Sequence, residues 1–202
     1  MPTLIKSYDG SQDFNPPLSQ PAYQTDAGAC FNNPSSCTID SAKFYLSKRT
    51  GSPTGNAVVK IYAITGTVGT DAKPTGGVSI VSNNFDVSTL AGTSAELVTF
   101  TFNGETLGAG DWYIGVFYDS GTADVNDIKI YCHSGDGDAS INYAETQAGT
   151  WTGYSAYDCN FFVYKTAVGP ANISKVAGVA KASINEVAGV AIGSAKKVAG
   201  VA

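Results

Sequence analysis

The sequence predicts an all-β protein: an antiparallel β-sandwich of the jelly-roll type, with an extended N-terminal arm and a C-terminal tail of 11-residue repeats. Three observations predict it. The 202 residues include 23 Gly, 11 Tyr and 9 Phe but only 14% charged residues, a balance that suits short strands joined by many turns. Apolar residues recur with a period of two in short runs, the mark of antiparallel strands with one buried face. No stretch of the body reads as a convincing amphipathic helix.

Residues 1–24 are rich in Pro, Ser and Gln, with Pro16, Pro17 and Pro21. Proline has no N–H for a ladder, so this segment is expected to be an extended arm outside the core. The body follows as residues 25–165. Ala42, Phe44 and Leu46 alternate with Lys43, Tyr45 and Ser47, and Gly51-Ser-Pro-Thr-Gly55 breaks that strand. Ala57, Val59, Ile61 and Ala63 alternate with Val58, Lys60 and Tyr62. After a Gly-, Thr- and Pro-rich loop, Val78 to Val81 reads as a short strand. Val98, Phe100 and Phe102 form the next, and Gly108-Ala-Gly110 turns into Trp112, Ile114 and Val116. Ile128, Ile130 and Cys132, then Cys159, Phe161 and Val163, complete roughly eight strands linked by loops, as a sandwich requires.

The tail, residues 166–202, repeats itself. Ile173-Ser-Lys-Val-Ala-Gly-Val-Ala180 returns as Ile184-Asn-Glu-Val-Ala-Gly-Val-Ala191 and again as Ala195-Lys-Lys-Val-Ala-Gly-Val-Ala202. One such repeat cannot bury its own apolar side, so repeats stack on one another or on a partner. Ile173, Val176, Val179, Ile184, Val187, Val190, Val198 and Val201 are therefore the candidate assembly residues. Glycine and β-branched residues at fixed places favour extended or β structure. Ile173, Val176, Ala177, Ala180 and Ile184 also fall on one helical stripe, and an 11-residue period fits a helix of about 3.67 residues per turn. One glycine per repeat costs that helix about 1 kcal/mol each time, which tips the expectation towards extended structure.

Charge separates body from tail. The whole chain carries −5, whereas residues 171–202 hold four Lys against Glu186, or +3, leaving −8 on the rest. An acidic body argues against nucleic acid as its partner. Met1-Pro-Thr-Leu-Ile-Lys lacks the apolar run of a signal peptide, and no segment has membrane-spanning length, so a soluble protein is expected. The four cysteines allow two disulfides, which would need an oxidising final environment. Cys30 and Cys37 flank a short Asn-, Pro- and Ser-rich loop and are expected to bridge. Cys132 and Cys159 fall on the core faces of their strands and can meet if those strands are neighbours; otherwise they are buried thiols.

Few residues suggest chemistry. His133 is the single histidine, and the cysteines lack metal-ligand spacing, so no zinc site is expected. Ser134-Gly-Asp-Gly-Asp138, with Asp119, Asp124 and Asp127, is oxygen-rich enough for a structural calcium, although no complete calcium loop is present. Asp136 and Glu145 are acids of the kind that hydrolyse glycosides, but nothing beyond their presence supports it. Tyr143, Trp151, Tyr154 and Tyr157 form an aromatic-rich stretch; it is the candidate glycan contact, set against core packing of the same rings.

The segment Phe44 to Ala63, followed by Gly66-Thr-Val-Gly-Thr-Asp-Ala-Lys-Pro-Thr-Gly76, Asp86-Val-Ser-Thr-Leu90, Leu97-Val-Thr-Phe-Thr-Phe102 and Leu107-Gly-Ala-Gly-Asp-Trp-Tyr-Ile-Gly-Val116, resembles jelly-roll sandwiches of the choice-of-anchor and carbohydrate-binding-module-like type. Such domains occur in surface proteins and in virion proteins of tailed phages. The tail is similar to Lys-Val-Asn-Gly-Val repeats found beside them in phage and environmental sequences. These repeats carry Ala where related ones carry Asn before Gly, which tells against a tight turn in each. The resemblance covers about residues 28–165 and the tail. It implies a non-enzymatic structural protein of a virion, homo-oligomeric or held to other virion or surface-assembly proteins, and extracellular after cytoplasmic assembly. A module binding surface glycans is the alternative it implies.

Overall fold

The computed structural model describes residues 1–19 and 23–167 throughout, and in the tail only the backbone of 175–176, 179–180, 186–187 and 190–191. The strands in chain order are β1 (Thr3–Tyr8), β2 (Pro17–Leu18), β3 (Gln24–Asn33), β4 (Cys37–Thr50), β5 (Asn56–Thr65), β6 (Lys73–Val81), β7 (Phe85–Asp86) and β8 (Glu96–Thr101). They continue as β9 (Thr106–Leu107), β10 (Gly110–Phe117), β11 (Asp127–Ile130), β12 (Cys132–Ser134), β13 (Ile141–Gln147), β14 (Thr150–Tyr154), β15 (Tyr157–Cys159) and β16 (Phe161–Lys165). A single 3-10 turn, Val87–Thr89, is the one helical element among the described residues, so the chain is all-β there.

Two large sheets result. One runs β1-β16-β4-β11-β2, with β8 and β9 also paired to β4; the other runs β14-β13-β3-β10-β5-β6, with β7 on β5. Every pairing whose register is defined is antiparallel, as in β16 on β4 (Phe161↔Phe44) and β10 on β5 (Ile114↔Ile61). The 14 residues of β4 are long enough to serve four partners along its two edges. One cluster of buried residues joins the inner faces of both sheets in a sandwich-like arrangement. Phe31 from one sheet meets Phe161 from the other with ring centroids 5.7 Å apart, and Phe161 in turn stacks on Phe44 at 6.5 Å. The alternating residues of β4, β5, β8, β11 and β16 face this cluster, as their periodicity predicts.

The N-terminal segment departs from expectation. It is woven into the body rather than extended outside it: β1 pairs with β16, Leu18 is fully buried opposite Ile128, and Phe14 packs on the core. Proline is no obstacle, because β2 closes the sheet beside β11 as an edge, where a missing N–H costs nothing. The Pro16 carbonyl still accepts from the Ile130 N–H at 3.2 Å.

The chain forms two compact units, Leu4–Lys165 and a second made of Met1–Thr3 with Thr166–Ala202. In the second unit, Lys175–Val176 pairs with Val179–Ala180, and Glu186–Val187 with Val190–Ala191, both antiparallel. Val176 opposite Val179, and Val187 opposite Val190, leave two residues between the paired positions. That is hairpin spacing despite the Ala that stands before each Gly. Among the assembly candidates, Ile173, Ile184, Val198 and Val201 lie outside the described residues. Among the described residues no helix is long and apolar enough to cross a membrane.

Candidate functional site

The hairpin β13–β14 distributes the four aromatic candidates. Gln147 pairs with Thr150, and the two residues between, Ala148 and Gly149, both have positive φ (49° and 79°), the combination that matches the right-handed twist of a hairpin. This register sets Tyr143 opposite Tyr154 on the inner face and Trp151 opposite Thr146 on the outer face. The candidates therefore divide. Tyr143, Tyr154 and Tyr157 gather at one end of the core around Phe14, which stacks on Tyr157 at 4.4 Å and meets Tyr143 edge-on at 5.5 Å. Tyr143 is fully buried, whereas Tyr154 and Tyr157 are half-buried. Glu145 lies among them, accepting hydrogen bonds from the Tyr143 hydroxyl and, at 3.3 Å, from that of Tyr154. Gln24 donates to the Tyr143 oxygen at 2.9 Å. Phe14 and Gln24 were not among the residues expected from sequence, and only their folded positions join them to the set; Glu145, already a candidate acid, shares a strand face with Tyr143 two residues away.

Trp151 belongs elsewhere. On the outer face of the second sheet it meets Tyr113 at 5.0 Å and Tyr62 at 5.5 Å over a second small cluster with Cys30, Ala72 and Ala144. Two glycines make room there. A Cβ on Gly115 would fall 2.0 Å from the Tyr113 hydroxyl oxygen, and one on Gly28 would fall 2.1 Å from the Ile114 carbonyl oxygen. Tyr113 thereby lies across the sheet and donates to Asp26 Oδ1 at 2.6 Å, while Asp26 Oδ2 has no partner among the described residues. Burial pushes the Asp26 carboxyl up to about 7, against the Tyr113 hydrogen bond and the Lys60 charge.

His133 and several of the acids are engaged in structure. His133 Nδ1 contacts Ser11 Oγ and lies 3.4 Å from Asp13 Oδ1. A nucleophilic triad needs serine and acid on opposite ring nitrogens; here both meet Nδ1, so the trio does not form that relay. Asp13 also accepts from the Ser134 N–H at 2.7 Å, and that bond leads in bringing its carboxyl down to about 2. In the acidic loop, Asp158 Oδ2 accepts from the N–H groups of Gly137 (2.8 Å) and Asp138 (2.9 Å), and Asp138 pairs with Lys6 at 2.8 Å. Arg49 Nη1 holds Asp124 at 2.7 Å and the buried Asp127 at 2.8 Å, and Thr50 donates to Asp127 at 2.7 Å. Among the described residues no three His, Cys, Asp or Glu side chains gather as a metal site. Of the oxygen-rich loops considered for calcium, Asp138 thus pairs with Lys6, and Asp124 and Asp127 with Arg49.

The cysteines are all unbridged, and the two expected pairs fare differently. Cys30 lies in the outer cluster and donates to the Ala72 carbonyl oxygen at 3.2 Å. Cys37 begins β4 in the other sheet and packs against the inner core. The loop between them is short, but it changes sheets, so their side chains serve opposite faces of β3 and the expected bridge is not made. Cys132 and Cys159, by contrast, stand directly opposite each other in the β12–β15 ladder, both fully buried. Comparison with known protein families, curated proteins and solved structures finds no match to this chain.

Proposed function

We propose that this chain is a structural and assembly protein of a virion, a tail, fibre or capsid-decoration component. Its body is a jelly-roll sandwich presented outward, and its repeat tail docks it to neighbouring copies or to a scaffold. The reading assigns it no catalytic step. The observation that carries it is the division of the chain at Lys165/Thr166, with valine-paired hairpins spaced at the repeat period in the second unit. A hairpin with two residue pairs is far too small to stand alone and gains stability only by packing on others. The Ala-Gly step of each repeat is the same dipeptide that turns the β13–β14 hairpin in the body. Deleting residues 166–202 should abolish incorporation into particles while the body stays folded. Protease should clip the tail quickly from dilute monomer and spare it in the particle. Unchanged incorporation, or a resistant tail on the monomer, would overturn the docking role.

A glycan-binding module is the second reading. It is favoured by the Glu145 carboxylate held by two tyrosine hydroxyls beside the half-buried rings of Tyr154 and Tyr157. A glycan array distinguishes the readings, since intact protein with no hits removes this one and leaves the first.

A further inference from the structure

The geometry points to Cys132 and Cys159 as the site of a cross-strand disulfide that is installed while the chain folds and is afterwards shielded; Cys30 and Cys37 remain thiols. The register pairs Cys132 with Cys159, His133 with Asp158 and Ser134 with Tyr157. The hydrogen bonds reveal which kind of pair this is. Cys132 directs its own N–H to the Phe14 carbonyl at 2.8 Å and accepts from the Phe14 N–H at 3.1 Å, away from β15. The bonds linking the two strands flank it: Asn160 N–H to Tyr131 O at 3.3 Å and Gly135 N–H to Ala156 O at 2.9 Å. Cys132 and Cys159 are therefore a non-hydrogen-bonded pair. In such pairs the Cα atoms are about 4.5 Å apart and the side chains lie close on one face, within the Cα range of about 4.4–6.8 Å that a disulfide spans. Both side chains enter the inner core, packed in the same cluster of buried residues.

Burial decides when the bond forms. Both residues are 0% exposed, and burial first, then the neighbouring Cys159, pushes the Cys132 thiol well above its ordinary range. Attack needs a thiolate with access to the oxidant, so the folded, reduced protein resists oxidation, whereas a folding chain does not. The oxidant is a small-molecule disulfide of the glutathione kind. One cysteine thiolate attacks it, expels one thiol and leaves a mixed disulfide. The second cysteine thiolate attacks the protein sulfur of that bond and expels the second thiol. The two protein thiol protons leave with the two released thiols, and the protein loses the two electrons that the small disulfide gains. The closed bond then lies where both cysteines are fully buried, beside Phe14, whose backbone bridges Cys132 and whose ring stacks on Tyr157. The bridge ties the strand that precedes β16 to β12, in the segment just ahead of the tail. It rests on the body alone and does not depend on what the tail binds.

Two measurements test it. The full chain is refolded from denaturant in a buffer of oxidised and reduced glutathione, then denatured and alkylated without reductant. Two labelled thiols, Cys30 and Cys37, are expected, with the peptides bearing Cys132 and Cys159 linked. Four labelled thiols, or any link that uses Cys30 or Cys37, would overturn the proposal. The second measurement compares thermal unfolding with and without reductant. The oxidised wild type and the Cys30→Ser/Cys37→Ser variant should both unfold at higher temperature than their reduced forms. Cys132→Ala/Cys159→Ala should unfold at the same temperature in either condition, and a redox-dependent shift in that variant would count against the assignment.

Discussion

Replacing Asp26 by Asn should change how the stability of this protein depends on pH. The carboxyl is 1% exposed, and only one of its oxygens has a partner, the Tyr113 hydroxyl. Burial disfavours the charged form more than Tyr113 and the Lys60 ammonium favour it, so the acid ionises at about 7 rather than its ordinary 3.8. The unfolded chain releases this proton near the ordinary value and the folded chain near the raised one. Between the two the folded state holds one more proton, and raising the pH weakens folding. The contribution of the protonated acid is full below 3.8 and has been lost once the pH has risen through about 7. At roughly 1.4 kcal/mol per tenfold, that span amounts to about 4 kcal/mol. Asparagine cannot titrate but still offers an acceptor to Tyr113. Urea unfolding of both proteins at about pH 4 and about pH 8 should show the variant gaining roughly 4 kcal/mol on the wild type, or on the order of 10 °C in Tm. Parallel pH profiles would refute the reasoning, for they would mean that Asp26 ionises alike in both states.

Two further substitutions probe the packing. Gly28→Ala puts a Cβ 2.1 Å from the Ile114 carbonyl oxygen and 2.4 Å from the Gly115 Cα, both backbone atoms that cannot swing aside. It should cost about 3 kcal/mol or more, whereas Gly77→Ala, with nothing within 4 Å, should stay within about 0.5 kcal/mol by thermal unfolding. Phe14→Ala removes the ring between Tyr143 and Tyr157 and should cost about 2–3 kcal/mol in chemical denaturation; no loss would mean that the N-terminal segment is not part of the core.

The strands with bulky alternating residues were legible in the sequence. Phe44 and Leu46, Val59 and Ile61, Val98 and Phe100, and Phe161 and Val163 all reach the shared core from the faces their periodicity assigns. The central strand β3 was not. Its Asp-Ala-Gly-Ala-Cys run is too small and mixed to read as a core strand. Those small residues are nonetheless what a strand between β13 and β10 needs, since Gly28 leaves no room for a side chain beside Ile114 and Gly115. The candidate glycan residues were adjacent in sequence, but the Ala148–Gly149 turn sends Trp151 to the opposite face from Tyr143 and Tyr154. The contact of Ser11 and Asp13 with His133 joins positions more than a hundred residues apart, and no local pattern signals it.

The sequence by itself determined the all-β class, the alternating core faces and the period of the tail, because side-chain direction along a strand and repeat spacing are local properties. Only the tertiary structure decided which strands are neighbours. That choice built the N-terminal segment into the sheet edges, put Cys30 and Cys37 on opposite faces, set Cys132 against Cys159, and buried Asp26 under Tyr113. Strand partners and register follow from filling one shared core with residues distant in the chain, and no window of neighbouring residues contains that information.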